Sequence, residues 1–98
     1  MATINETSAR FQVNAGKTET VLVFSLGGFS SFMIRAEVGD FEVLPIGSSR
    51  GPSLLSGESF VRNKEDYAGV SPDTIVEYRV RNTGDSAGQV SVWFTGVK

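Results

Sequence analysis

In the last quarter of the chain, two runs alternate apolar and polar residues strictly. Across residues 75–81, Val76, Tyr78 and Val80 alternate with Glu77, Arg79 and Arg81; across residues 90–95, Val90, Val92 and Phe94 alternate with Ser91, Trp93 and Thr95. A period of two is the repeat of a strand with one face buried. With residues 82–88 as the connecting loop, an antiparallel hairpin would pair Val80 with Val90, Tyr78 with Val92 and Val76 with Phe94. The same register sets Glu77 opposite Trp93 and places Arg79 on the diagonal, within reach of a cation–π contact.

The rest of the chain carries the same rhythm. Ala9, Phe11 and Val13 alternate with Arg10 and Gln12 before the turn Asn14-Ala15-Gly16-Lys17, which predicts a first hairpin with its return strand over 18–26. That return strand holds the unbroken apolar run Val21-Leu22-Val23-Phe24, the mark of a central strand buried on both faces or touching a second body. After Gly27-Gly28, Phe32, Ile34, Ala36 and Val38 define another strand, Gly39-Asp40 turns the chain, and a shorter strand follows over 41–46. Pro45 there marks an edge or a termination. Residues 47–73 are irregular, with a short strand predicted at 59–62 and at most two helical turns within 63–69. A connection this long favours an unrecognised strand pair over a binding loop.

Six to eight short strands and no helical stripe predict an all-β fold: an antiparallel β-sandwich, jelly-roll or immunoglobulin-like, or a small barrel. The sandwich is preferred because two sheets with one apolar face each bury both by facing one another. Residues 1–8 read as a frayed or extended N-terminal arm and 9–98 as a single β domain, since 98 residues sustain one core.

Composition narrows the chemistry. The chain has no histidine and no cysteine, which removes the ligands that zinc and transition metals favour and the base that a serine nucleophile needs. Asn63, Glu65, Asp66 and Asp73 could offer oxygens to calcium but lack a recognised loop spacing, and read better as a solvated loop. No metal or other cofactor is expected. Paired-carboxylate hydrolysis needs a cleft for which so short a chain leaves little room, so the chain is expected not to be an enzyme. A formal net charge of −2 with interspersed signs gives no footprint for nucleic acid, and no stretch approaches the roughly 20 apolar residues of a membrane span. The start of the chain has no apolar run of signal-peptide length, so a soluble protein made in the cytoplasm is expected and the sequon Asn5-Glu6-Thr7 is set aside as chance.

The candidate contact residues are Trp93 with Arg79 and Glu77, because tryptophan and arginine dominate interface hot spots; the other reading of Trp93 is that a loop or the N-terminal arm folds over it. Leu54, Leu55 and Phe60 either plug the end of the sandwich or form an apolar contact patch. The expected partner is protein: further copies of the chain, as a dimer or trimer, and a larger assembly. The alternative is a carbohydrate-binding module or lectin in which Trp93 stacks on a sugar ring.

The cysteine-free chain opens Met1-Ala2-Thr3 and closes with Val76-Glu77-Tyr78-Arg79-Val80-Arg81-Asn82-Thr83-Gly84 and Val90-Ser91-Val92-Trp93-Phe94-Thr95-Gly96. In this it resembles the small all-β structural accessory proteins of tailed bacteriophages, among them capsid decoration and cement proteins. The likeness lies in length, composition and strand rhythm, with no single motif carrying it. It implies a non-enzymatic protein that oligomerises and sits on a virion surface, bracing neighbouring capsid subunits.

Overall fold

The computed structural model describes residues 4–45 and 47–97. Period-two alternation becomes eight strands: β1 (Ile4–Val13), β2 (Thr18–Ser25), β3 (Phe29–Val38), β4 (Phe41–Pro45), β5 (Ser53–Leu54), β6 (Ser59–Asn63), β7 (Ile75–Asn82) and β8 (Gly88–Val97). They form two four-stranded antiparallel sheets, ordered β1-β8-β3-β6 (sheet A) and β2-β7-β4-β5 (sheet B). This is the jelly-roll form of the expected sandwich. Short 3₁₀ turns at Leu26–Gly28 and Lys64–Tyr67 are the only helical elements among the described residues.

The order of strands corrects the predicted hairpins. β7 and β8 are consecutive but lie in different sheets, as do β1 and β2, and of the described strands only β4 and β5 are sequence neighbours that pair. Val80 therefore pairs with Val43 and Glu19, while Val90 pairs with Phe11 and Ala36. The two alternating runs present their apolar faces to each other across the sandwich rather than side by side. Crossing between sheets is favoured because it turns two half-apolar strands into opposite walls of one core, whereas a hairpin leaves its apolar face still to be covered.

That core is aromatic. Phe24 from sheet B lies 4.5 Å, 5.7 Å and 5.4 Å, centroid to centroid, from Phe29, Phe32 and Phe94 of sheet A. Tyr78 of β7 meets Phe32 and Phe60 at 4.9 Å and 5.6 Å. The tilted geometries are those that aromatic quadrupoles favour, and each such pair adds roughly 0.5–1.5 kcal/mol to the burial of its area.

β2 is an edge strand, not the central one its apolar run predicts. The register shifts between Thr20, paired with Arg79, and Leu22, paired with Tyr78, so Val21 is the extra residue of a β-bulge. A bulge lets two successive side chains turn toward one face. Val21 is buried and Leu22 packs partly on the core, while Val23 is 57% exposed. The run thus needs no second core. Residues 4–8, expected as an arm, are extended and paired along β8, from Ile4 with Val97 to Ser8 with Trp93; the first three residues of that arm lie outside the described residues.

Within 47–73 the structure supplies β5, β6 at the predicted place, and one 3₁₀ turn in the segment given to short helix. Pro45 ends β4, past the two residues that pair with β5, where its missing N–H costs no ladder bond to that strand.

Candidate functional site

The outer face of sheet A can be read in rows across its strands. Ser8, Trp93, Met33 and Val61 are successive cross-strand neighbours, and the next row is Arg10, Ser91, Arg35 and Ser59. Trp93 is 40% exposed and Val61 46%, with Met33 half-buried between them, so an apolar band crosses the centre of a sheet face otherwise polar. Ser8, Ala9, Arg10, Ser91 and Trp93 line a shallow depression of about 380 Å³ at one end of this band. Ser91 is buried although it belongs to the outer face, and its Oγ has no hydrogen-bond partner among the described residues. Arg35 Nε lies 3.6 Å from Glu37 Oε1, an exposed pair of little energetic weight. Arg10 and Arg35, one on either side of Ser91, make this row basic.

Trp93 does not meet Glu77 or Arg79. Those two stand on the outer face of sheet B, Glu77 opposite Val23 and Arg79 between Thr20 and Leu44, because β7 and β8 belong to opposite sheets. Among the described residues the cation–π contact is Arg62 over Phe60, 4.1 Å from the ring centroid. Arg79 serves the fold locally, since its guanidinium donates to the Ser48 carbonyl at 2.8 Å and holds the 47–52 loop over sheet B. Leu44, on the outer side of β4, is buried there and lies with Gly47, Ser48, Ser49, Arg79 and Arg81 around one surface hollow. The loop also docks through its backbone, since Val43 N–H donates to the Pro52 carbonyl at 2.9 Å. Arg81 pairs with Glu42 directly across the β4–β7 ladder.

Leu54 and Phe60 take the plugging role, both buried in the core, whereas Leu55 is 54% exposed beside them. At the end of the sandwich near β6, Tyr67 and Tyr78 share a hydrogen bond of 2.6 Å in which either hydroxyl can donate, and Tyr67 stands edge-on to Phe29. Burial raises the Tyr67 pKa well above its ordinary value, and the bond to Tyr78 raises it further. The acidic residues of the neighbouring loop are used locally, with Asp66 accepting from the Asn63 backbone N–H at 2.7 Å. Among the described residues no three His, Cys, Asp or Glu side chains come together as a metal site.

Of the residues singled out from sequence, only Trp93 lies on the sheet A face. Met33, Val61, Ser91, Arg10 and Arg35 complete that face, and period-two alternation already puts each of them on the polar side of its strand. What alternation does not supply is the strand order that brings them together.

No family model matches the chain, and no curated protein matches it. Solved structures do. A de novo designed double-stranded β-helix is similar with a TM-score of 0.64 at 20% identity, over 94% of this chain and 99% of that one. PirA is similar with a TM-score of 0.65 at 12% identity, over 89% of this chain and 92% of that one. An RmlC-like cupin from Shewanella frigidimarina gives 0.57 at 16% identity, over 92% of this chain but only 65% of its own. At such identities the likeness shows the fold, two antiparallel sheets wound as a double-stranded β-helix, and a fold of this kind hosts many unrelated functions.

Proposed function

We propose that this chain is a non-enzymatic assembly module that docks a protein surface through the outer face of sheet A, with Trp93 at the centre of the contact. The observation that carries the reading is the band Trp93, Met33 and Val61, set beside Arg10 and Arg35 on a single sheet face. Apolar anchors flanked by arginines are the composition of an interface centre, and large aromatics are costly to leave in water without a use. The flanking guanidiniums favour a partner surface carrying carboxylates. Support for a non-enzymatic role comes from the interior, where packed rings of Phe24, Phe29, Phe32, Phe60, Tyr78 and Phe94 fill the space between the sheets. The likeness to phage accessory proteins extends the proposal to a capsid surface as the place of docking.

The test is co-sedimentation with capsid particles assembled in the presence of the chain. Wild type is expected to bind, and Trp93→Ala to weaken binding by about 2 kcal/mol, the threshold of a hot spot. Undiminished binding by Trp93→Ala would remove this face from the proposal. A sugar-binding reading draws on the depression beside Trp93, where Ser8, Arg10 and Ser91 offer polar groups next to the indole. Its signature is glycan binding that Trp93→Ala abolishes, with no particle binding.

A further inference from the structure

The two sheets have four edges, and three of them carry features that hinder further pairing. β5 is two residues long, β6 is five and runs directly into a 3₁₀ turn, and β2 is broken by the bulge at Val21. Short strands and bulges are the devices by which proteins protect edges from association. β1 has none of them. It runs ten residues without a bulge, contains no glycine, proline or lysine, and pairs with β8 alone among the described residues. Its neighbour across the seam, β2, belongs to the other sheet. Thr7 and Ala9, which face inward by alternation, are exposed, so the first half of β1 stands clear of sheet B, while Phe11 further along packs against the core.

The geometry points to β1 as a self-pairing edge: two copies join antiparallel, β1 against β1, and sheet A becomes one continuous eight-stranded sheet across a two-fold axis. The strand is self-complementary in one register. With the axis at Ser8, position 6 of each copy lies opposite position 10 of the other, which pairs Glu6 with Arg10 twice, and the inward positions 7 and 9 pair likewise. Opposite charges at directly paired positions favour such a register, and like charges oppose it. Because Ser8 neighbours Trp93 on β8, the apolar band of each copy ends at the axis and the two bands form one line. The inference rests on the assembly reading and names its self-contact, but uses the edge of the sheet rather than its face.

The experiment measures mass by light scattering or sedimentation on the whole chain at tens of micromolar. Wild type is expected to be a dimer. Glu6→Arg and Arg10→Glu should each weaken the dimer roughly tenfold, since two attractive pairs become repulsive, while the double exchange should restore it. Amide exchange across residues 4–12 should slow as concentration rises through the dimer range. Trp93→Ala should leave the dimer intact. A monomeric wild type, exchange in β1 that ignores concentration, or a dimer indifferent to the charge exchanges would each overturn the edge pairing. If the edge fails while particle binding still depends on Trp93, the face reading stands alone; if the dimer holds and Trp93→Ala binds particles normally, the edge stands and the face reading falls.

Discussion

Asn82 Nδ2 donates to the Val13 carbonyl at 2.9 Å, tying the last residue of β7 in sheet B to the last residue of β1 in sheet A. The same amide donates to the Ser86 carbonyl at 2.9 Å, and its Oδ1 accepts from the Gly84 N–H at 2.8 Å. Its backbone joins the β1–β2 turn as well, donating to the Lys17 carbonyl at 2.9 Å and accepting from Gly16 N–H at 3.1 Å. One buried side chain thus closes the corner where the β1–β2 and β7–β8 crossings occur, with each of its polar atoms satisfied.

Asn82→Ala leaves the buried Val13 carbonyl without this donor, at about 1–3 kcal/mol, and removes the part-buried bonds to Ser86 and Gly84, together about 1 kcal/mol more. The expected loss is roughly 2–4 kcal/mol, a large share of the 5–15 kcal/mol that small domains possess. Denaturant unfolding checks it: the midpoint should fall with the slope unchanged, and an unaltered midpoint would show that the corner does not depend on this amide.

Trp93 and Phe32 should respond oppositely to truncation. Phe32 is 2% exposed at the centre of the ring cluster, so Phe32→Ala should cost about 3–5 kcal/mol through the cavity it leaves. Trp93→Ala removes a side chain already in contact with water and should cost under about 2 kcal/mol. Thermal or denaturant midpoints of the two variants, measured together, decide between these outcomes; equal losses would mean that Trp93 supports the fold rather than a partner.

The 47–52 loop depends on a close backbone approach at Gly51. A Cβ there would run into the Val43 carbonyl oxygen, a contact that backbone alone can relieve. Gly51→Ala should therefore lift the loop from β4, expose Leu44 and make the loop a site of proteolytic nicking. Arg79→Ala should act in the same direction but more weakly, since it removes one hydrogen bond to Ser48. Limited proteolysis followed by mass measurement gives the cleavage position, and resistance of Gly51→Ala equal to wild type would show that the loop does not need this approach.

Tyr67 supplies a pH dependence with a definite sign. Burial and the bond to Tyr78 make the folded chain hold the Tyr67 proton more tightly than the unfolded chain does. The resulting stabilisation is complete below the unfolded tyrosine value of about 10 and is lost progressively as pH rises beyond it. Tyr67→Phe should be less stable than wild type at neutral pH by about 1 kcal/mol, the worth of a typical hydrogen bond, with the gap narrowing in strong alkali. Unfolding midpoints at pH 7 and above pH 10 test this, and a gap that widens with pH would reverse the assignment.

Alternation alone placed the side chains of β1, β7 and β8, and of β3 from Ser31 to Ala36, on their correct faces and bounded the β7–β8 connection to within one residue at each end, because a pleated backbone turns every second residue to the same side. Val38, expected on the apolar face, is 52% exposed, because the β3–β8 register shifts between Ala36 and Val38. Glycines at 16 and 39 marked turns where the backbone adopts φ of 73° and 89°. Partnership was not legible. A tight turn between two alternating strands serves a hairpin and a crossing between sheets equally well, so the pairing of Trp93 with Ser8 and Met33, rather than with Glu77, was decided by the closing of two sheets over a shared aromatic core. The run Val21 to Phe24 misled for a related reason: a bulge changes the inward parity of a strand without a signature residue, and only pairing with β7 discloses it. The site inherits this division, since each residue's face was written in local pattern while the band across sheet A exists only through strand order, a property of long-range contacts that no local window contains.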